Sequence, residues 1–261
     1  MKKYKLGILG VGKMGGAILK GIVSRNVFDK EEILLCVRRN SQKEELADRN
    51  YNVTTSKAEL FRDSEIVLLA LKPQVLLDEL EESQIPAVIS IAAGIKIKAL
   101  EKYFPNAVII RAMPNTPAMI GSSVTTVASN NEESDYFKLA MDIFYSMGTA
   151  YKIPEELMDA SLPLNGSMPA YLYYFAKCFI DKAVSEGIDY ETARLLTADS
   201  IKASAEMIIN SEESIEKLIT DVCSKKGTTV AGLCKLSEGG FKASIEACFT
   251  ACEERSRELG K

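Results

Sequence analysis

Leu6-Gly7-Ile8-Leu9-Gly10-Val11-Gly12-Lys13-Met14-Gly15-Gly16-Ala17-Ile18 is the stretch whose reading decides the fold. It grows out of an apolar run, Tyr4 to Leu9, that reads as a buried strand. Gly10, Gly12 and Gly15 then fall at the spacing G-x-G-x-x-G, and Met14, Ala17, Ile18, Gly21 and Ile22 open a helical pattern. Strand, glycine turn and helix in that order are the context of a dinucleotide-binding loop. Gly10 suits the tight turn, Gly12 lets backbone approach a pyrophosphate, and Gly15 lets helix and strand pack closely. The pyrophosphate would rest on the free N–H groups at the helix start, where the helix dipole favours negative charge. Gly10 to Gly15, including Val11, Lys13 and Met14, is therefore the candidate cofactor loop. The competing reading is a chance glycine turn in another α/β protein.

Working outward, strands and helices alternate. Ile33–Val37 reads as a second strand and Ser41–Arg49 as a helix. Glu65–Leu71 reads as a third strand, after which Pro73 opens a helix as an N1 proline does. Ala87–Ile91 and Ala107–Met113 are further apolar runs, ended by Ala92-Ala93-Gly94 and Pro114. Ser122–Ala128 reads as a strand and Asp135–Met147 as a helix, with Gly148 as its C′ stop. The alternation predicts a mostly parallel sheet covered by helices on both faces. The pattern changes near Ile153-Pro154. Beyond it Pro169–Glu186, Tyr190–Asn210, Glu213–Val222 and Glu238–Leu259 are helical in period, with no convincing strand. The fold class is thus α/β: a Rossmann-like dinucleotide-binding domain over residues 1–154, followed by an all-helical domain over residues 155–261. The first of those helices is apolar over a broad face, so the helical domain is expected to bury itself in a second copy of the chain. Packing back on the sheet is the alternative.

Composition narrows the function. The 261 residues carry a net charge of -4, which gives no basic surface for nucleic acid. No run of about 18 apolar residues appears, so no membrane span is expected. The lysines and apolar residues at the N-terminus read as a first strand, because Lys13 and the glycine loop break the run a signal peptide needs. Six cysteines are scattered without a C-x-x-C pair and histidine is absent. Buried thiols and a reducing, cytoplasmic location follow. The lack of histidine excludes a His-dependent dehydrogenase, a Ser-His-Asp triad and most zinc sites; no metal is expected.

The second strand selects the cofactor. NAD sites carry an acidic residue about twenty positions past the loop, at this strand's end. Here the strand ends Cys36-Val37-Arg38-Arg39-Asn40-Ser41, without a carboxylate. Arg38 and Arg39 suit a 2′-phosphate, which a guanidinium binds in a forked, charge-assisted way. NADPH is the expected cofactor, with NADH left open; a solvated helix entrance is the bland reading.

Later motifs point to a family. Asn165-Gly166-Ser167-Met168-Pro169-Ala170-Tyr171 resembles the Ser-Gly-Ser-Gly-Pro-Ala-Tyr segment of pyrroline-5-carboxylate reductases. Lys226-Gly227-Thr228-Thr229-Val230-Ala231-Gly232-Leu233 resembles their Gly-Gly-Thr-Thr-x-Ala-Gly-Leu signature. Leu71-Lys72-Pro73-Gln74, Ser90 to Ile95, Arg111 to Pro117, Glu238 to Phe241 and the ending Arg255 to Gly260 also match. The resemblance implies a Rossmann domain, a dimer of intertwined C-terminal helices often built into a decamer, and NAD(P)H-dependent reduction of 1-pyrroline-5-carboxylate to L-proline. It implies that Met113, Pro114 and Asn115 lie beside the nicotinamide, with Ala70, Lys72 and Pro73 along the cofactor; Ala92, Ala93 and Gly94 are expected to shape its wall. It assigns Thr229 to the imine nitrogen and Ser224 with the Gly227–Thr228 backbone to the substrate carboxylate. That set is chemically sufficient, since a hydroxyl can orient an imine nitrogen and backbone N–H groups at a helix start can hold a carboxylate.

Departures from the family pattern concern the substrate half. Asn165 stands where Ser is usual, Met168 for Gly, Leu162 for Thr, and Lys225-Lys226 for Pro-Gly. They keep two alternatives open: a reductase of another cyclic imine, and a non-catalytic nucleotide-binding paralogue. A 3-hydroxyacid dehydrogenase shares the glycine loop, but its Lys-x-x-x-Asn helix pattern is not evident.

Overall fold

The structure is a computed structural model and describes residues 2–259; Gly260, which closes the terminal motif, lies outside them. β1 (Tyr4–Leu9) pairs on one side with β2 (Ile33–Cys36), which carries β3 (Asn52–Thr54) at the sheet edge. On the other side follow β4 (Ser64–Leu69), β5 (Ala87–Ser90), β6 (Val108–Met113), β7 (Ser123–Ser129) and β8 (Gly148–Lys152). All neighbours run parallel except β6 and β7. Side-chain alternation fills both faces. Leu6, Ile8, Ile33, Leu35, Ile66, Leu68 and Ile89 belong to one buried cluster, and Leu9, Leu34, Val67, Leu69 and Val88 to the other. Near-continuous apolar strands are what a parallel sheet covered on both sides requires.

α1 (Lys13–Ser24) buries Gly15, Ala17, Ile18, Leu19 and Ile22. α2 (Asn40–Ala47), α3 (Lys57–Asp63), α4 (Pro73–Leu76), α5 (Ile97–Glu101) and α6 (Asp135–Tyr145) complete the covering layers. Ser56 and Ser134 cap α3 and α6 by accepting the Glu59 and Phe137 N–H groups, satisfying donors that a helix start leaves open. The Rossmann-like fold expected from the alternation is present.

Several local expectations are corrected. The strand at Glu65 is the fourth of the sheet, because the short, polar β3 precedes it. Gly148 is not the C′ residue of α6; Ser146 is the C-cap, and Gly148 opens β8. A Cβ on Gly148 would sit 2.1 Å from the Ser123 carbonyl oxygen, so glycine is needed where β8 crosses close to β7. The expected helix Glu238–Leu259 is α12 (Phe241–Leu259), which starts three residues later because Gly239-Gly240, with Gly240 left-handed at φ 75°, separates it from α11 (Thr228–Glu238).

The chain divides into two compact units, one running to Pro169 and resumed from Cys252, the other spanning Ala170–Ala251. The first contains the sheet and α7 (Met158–Ser161); the second is helical, built from most of α8 (Met168–Ser185) and α12 with α9 (Tyr190–Asn210), α10 (Ile215–Asp221) and α11. Its helices expose large apolar side chains, Tyr174 at 72% and Ile209 at 78%. Large apolar side chains left exposed in this number suit an association surface. Among the described residues no helix is long and apolar enough to cross a membrane.

Cys36, at the end of β2, is buried, and burial pushes its thiol from 9.0 up to about 11, against a weaker downward pull from Lys57. The folded thiol therefore keeps its proton to higher pH than the unfolded one. Its contribution to stability is complete below about pH 9 and is lost as pH rises through about 11. The loss expected from this residue is about 2–3 kcal/mol. Urea unfolding from pH 8 to 11 should show a shallower alkaline decline in Cys36→Ala than in the parent chain.

Candidate functional site

Register assembles the first part of the site. Leu9 stands level with Cys36 and Leu69, and Leu69 with Ser90. The loops after β1, β2, β4 and β5 therefore leave one carboxyl edge side by side. The edge is stitched by backbone bonds: Gly10 N donates to the Cys36 carbonyl (3.0 Å), Ala70 N to Leu9 (2.9 Å) and Ile91 N to Leu69 (3.2 Å). Ligands of open α/β sheets bind in the crevice at such an edge, where strand order reverses. β1, flanked by β2 and β4, is that reversal point.

The three loop glycines are distinguishable by what a side chain would meet. Gly10 is left-handed at φ 95°, and its Cβ would lie 2.9 Å from the Ala70 carbonyl oxygen. At Gly15 a Cβ would come within 2.2 Å of the Gly10 carbonyl oxygen. At Gly12 a Cβ would meet nothing within 4 Å. Gly10 and Gly15 are thus required by the chain itself, whereas the opening over Gly12 is not explained by internal packing. Gly12 is the N-cap of α1 and offers no capping side chain, and the first turn of α1 holds no acidic residue. An uncapped helix start with open space over the one unconstrained glycine fits a bound pyrophosphate. Gln42 steadies the loop by donating to the Val11 carbonyl (2.8 Å). Lys13 is exposed and Met14 half-buried.

Arg38 and Arg39 follow β2, both exposed, and Arg39 is the N-cap of α2. Neither enters an ion pair among the described residues. Glu79 lies in the field of Arg38, but its carboxyl is held low chiefly by a hydrogen bond from Lys57. Ala70 is half-buried, Lys72 is exposed as the N-cap of α4, and Pro73 is its N1 residue. Ala92 and Gly94 are buried and Ala93 half-buried, with Gly94 left-handed at φ 77°.

Met113, Pro114 and Asn115 leave β6 fully buried. The Asn115 carboxamide is consumed by the protein. Its oxygen accepts from Val124 N (3.0 Å) and Ser123 Oγ (3.3 Å), and its nitrogen donates to the Asn165 carbonyl (3.0 Å). Asn115 thereby closes the antiparallel β6–β7 connection.

Ser224, Gly227, Thr228 and Thr229 gather within the helical unit. Gly227 N donates to the Ser224 carbonyl (2.9 Å), forming a turn, and Gly227 is the N-cap of α11 without a side-chain cap. A Cβ on Gly227 would lie 2.3 Å from Ser224 Oγ, so the turn closes only over glycine. Thr228 and Thr229 start the helix, exposed. Lys226, where the family pattern has Gly, is left-handed at φ 60°, a conformation that costs a side-chain-bearing residue about 1 kcal/mol. The candidate residues thus form two groups, each assembled within its own unit.

One cluster escaped the sequence reading. Arg111, 1% exposed, donates from Nη1 to Glu155 Oε1 (3.1 Å) and stands 3.5 Å from Asp159 Oδ1 through Nη2. Glu155 Oε1 also accepts from Ile97 N (2.7 Å), and Asp159 Oδ1 from Ser256 Oγ (2.8 Å). A charge inside the apolar run Val108–Met113 was the available signal.

Comparison with known proteins resolves the family. Residues 155–259 match the model for pyrroline-5-carboxylate reductase dimerisation, and residues 5–94 that for NADP oxidoreductase, coenzyme F420-dependent. The pyrroline-5-carboxylate reductase of a Synechocystis species is 37% identical, over 98% of this chain and 98% of its own. The chain belongs to the pyrroline-5-carboxylate reductase family. Among solved structures, the Plasmodium falciparum pyrroline carboxylate reductase with NADP bound superposes with a TM-score of 0.85 at 30% identity, covering 100% of both chains. The Streptococcus pyogenes 1-pyrroline-5-carboxylate reductase does so with 0.89 at 29% identity, covering 97% of this chain and 98% of its own.

Proposed function

We infer that this member of the pyrroline-5-carboxylate reductase family is an NAD(P)H-dependent oxidoreductase that reduces 1-pyrroline-5-carboxylate to L-proline, the last step of proline synthesis. The observation carrying the reading is the full-length identity of 37% to a reductase of that name, joined to an uncapped glycine loop at the sheet's reversal point. NADPH is the cofactor and, when bound, supplies the hydride. The glycine loop and the first turn of α1, from Gly10 through Val11, Gly12, Lys13 and Met14 to Gly15, would hold its pyrophosphate. Arg38 and Arg39 hold the 2′-phosphate. Ala70, Lys72 and Pro73 run along it, Ala92, Ala93 and Gly94 wall it, and Met113, Pro114 and Asn115 bound the nicotinamide, Asn115 by fixing backbone rather than by its engaged amide. In the helical unit the uncapped start of α11 offers N–H groups to the substrate carboxylate, with Ser224 beside it. The Thr229 hydroxyl orients the imine nitrogen, which arrives protonated from water, so no strong side-chain acid is needed.

The functional division we propose is residues 1–154 for cofactor and 155–261 for substrate and dimerisation, although the compact units part at Pro169. The match to a dimerisation model and the exposed apolar helices support a homo-oligomer; a dimer built further into a decamer is the finer proposal. The six cysteines are free, Cys36 alone being buried where all were expected to be, and unpaired thiols accord with a reducing, cytoplasmic location.

Steady-state NADPH oxidation on adding 1-pyrroline-5-carboxylate tests the reading, and absence of turnover with either nicotinamide cofactor would refute it. In the same assay, joint Arg38→Ala and Arg39→Ala should raise KM for NADPH about 10–100-fold, as expected for two lost charge-assisted contacts. KM for NADH should move by less than about threefold. Equal loss for both cofactors would exclude the 2′-phosphate role.

A further inference from the structure

Asn165 is 3% exposed and binds three elements of the first unit. Its Nδ2 donates to the Met113 carbonyl (2.7 Å) and to Thr126 Oγ1 (3.3 Å), and its own carbonyl accepts from Asn115 Nδ2 (3.0 Å). The direction of these bonds is fixed from outside. Ser161 Oγ donates to the Met158 carbonyl (2.9 Å), so it accepts from Thr126 Oγ1 (3.2 Å), which leaves Thr126 to accept from Asn165. Both neighbours of Nδ2 therefore want a donor, and the amide cannot be turned over without setting its oxygen against the Met113 carbonyl. In this orientation Asn165 Oδ1 is buried without a hydrogen bond. Such an orphan acceptor is unfavourable. The serine usual in this family would carry no such oxygen into the interior.

We propose that Asn165 is a positioning residue for hydride transfer. Its side chain clamps the Met113 carbonyl while its main-chain carbonyl holds Asn115, which fixes the segment Met113–Asn115 at the carboxyl edge of the sheet. Its side chain faces protein, so it acts through these two residues. The inference rests on the reductase reading for its consequence, because that reading sets the nicotinamide against this segment. Misplacing a reacting ring by about 1 Å lowers the rate of transfer far more than it weakens binding, which is shared along the whole dinucleotide.

The test uses the full-length protein with Asn165→Ala and Asn165→Ser. Both should lose about tenfold or more in kcat, with KM for the imine and Kd for NADPH changed by less than about threefold. Independently of turnover, the fluorescence lifetime of bound NADPH should shorten toward that of the free cofactor, because the nicotinamide is held less firmly. The melting temperature of the apo protein should move little, as loss of two hydrogen bonds is offset by removal of the orphan oxygen. A kcat within about twofold of the parent in both variants, an unchanged lifetime, or losses that track the folded fraction would overturn the proposal. If the parent chain binds NADPH but turns over no imine, the reductase reading fails while the lifetime still decides the role of Asn165.

Discussion

Replacing Arg111 with alanine is expected to destabilise the protein by about 3–5 kcal/mol, the cost of breaking a buried ion pair from one side. The guanidinium is buried on β6 and faces Glu155 and Asp159. Asp159 is itself buried, so deleting Arg111 leaves a carboxylate out of water with Ser256 as its remaining hydrogen-bond donor. Glu155 is less enclosed and keeps the Ile97 N–H. The cluster is not an efficient stabiliser, because Arg111 Nε and Nη2 make no hydrogen bond. A triple variant, Arg111→Met with Glu155→Gln and Asp159→Asn, should therefore recover most of the loss, since it removes every charge together. Urea unfolding at one fixed protein concentration measures both effects, the concentration being held because association stabilises the folded state. A loss below about 1 kcal/mol in Arg111→Ala, the size of an exposed pair, would show that water reaches the cluster freely. Through Ser256 the same cluster ties the last helix to the strand that ends in Met113, so its loss should also loosen the carboxyl edge.

How far the chain could be read in advance follows from the range of the interactions involved. The glycine loop and the apolar strands are local, and they are where pattern and structure agree. β3 was missed because Asn52-Val53-Thr54 is short, polar and at an edge, so its pairing with β2 rather than its composition makes it a strand. β8 was missed for a similar reason: Tyr151 and Lys152 are exposed, and the strand is placed by its register against β7. The helix placed from Glu238 begins instead at Phe241, since two adjacent glycines weaken a helix start and Gly240 is left-handed. Arg111 and Asn165 mark the opposite limit. Asn165 stands 52 residues from the Met113 carbonyl that it holds and Ser256 stands 97 from Asp159, and no window of sequence pairs them. Thr229 and its neighbours are assigned only by family resemblance, because a turn and an uncapped helix start do not by themselves name a ligand.

Gly15→Ala and Gly12→Ala should separate what the loop needs in order to fold from what it needs in order to bind. At Gly15 the added Cβ would stand 2.2 Å from the Gly10 carbonyl oxygen and 3.1 Å from the Ala70 Cβ. The first neighbour is backbone, held in a left-handed turn whose N–H is tied to Cys36, so α1 must move off the sheet edge. A loss of about 2 kcal/mol or more in stability is expected from such overpacking, together with a rise in Kd for NADPH on the order of 100-fold as the N–H groups leave their aim. At Gly12 the backbone lies at φ −87°, ψ −159°, which alanine adopts, and the Cβ meets nothing within 4 Å. Stability should then stay within about 1 kcal/mol, since the poorer N-cap is offset by a less free unfolded chain. Affinity for NADPH should nevertheless fall on the order of 100-fold, because the methyl group occupies the space over the helix start into which a pyrophosphate would be drawn. Thermal unfolding without cofactor and NADPH fluorescence titration read the two quantities separately. Full affinity in Gly12→Ala would mean that the opening above this glycine is not where the dinucleotide lies, and the placement of the cofactor on α1 would have to be abandoned even if the chain reduced imines.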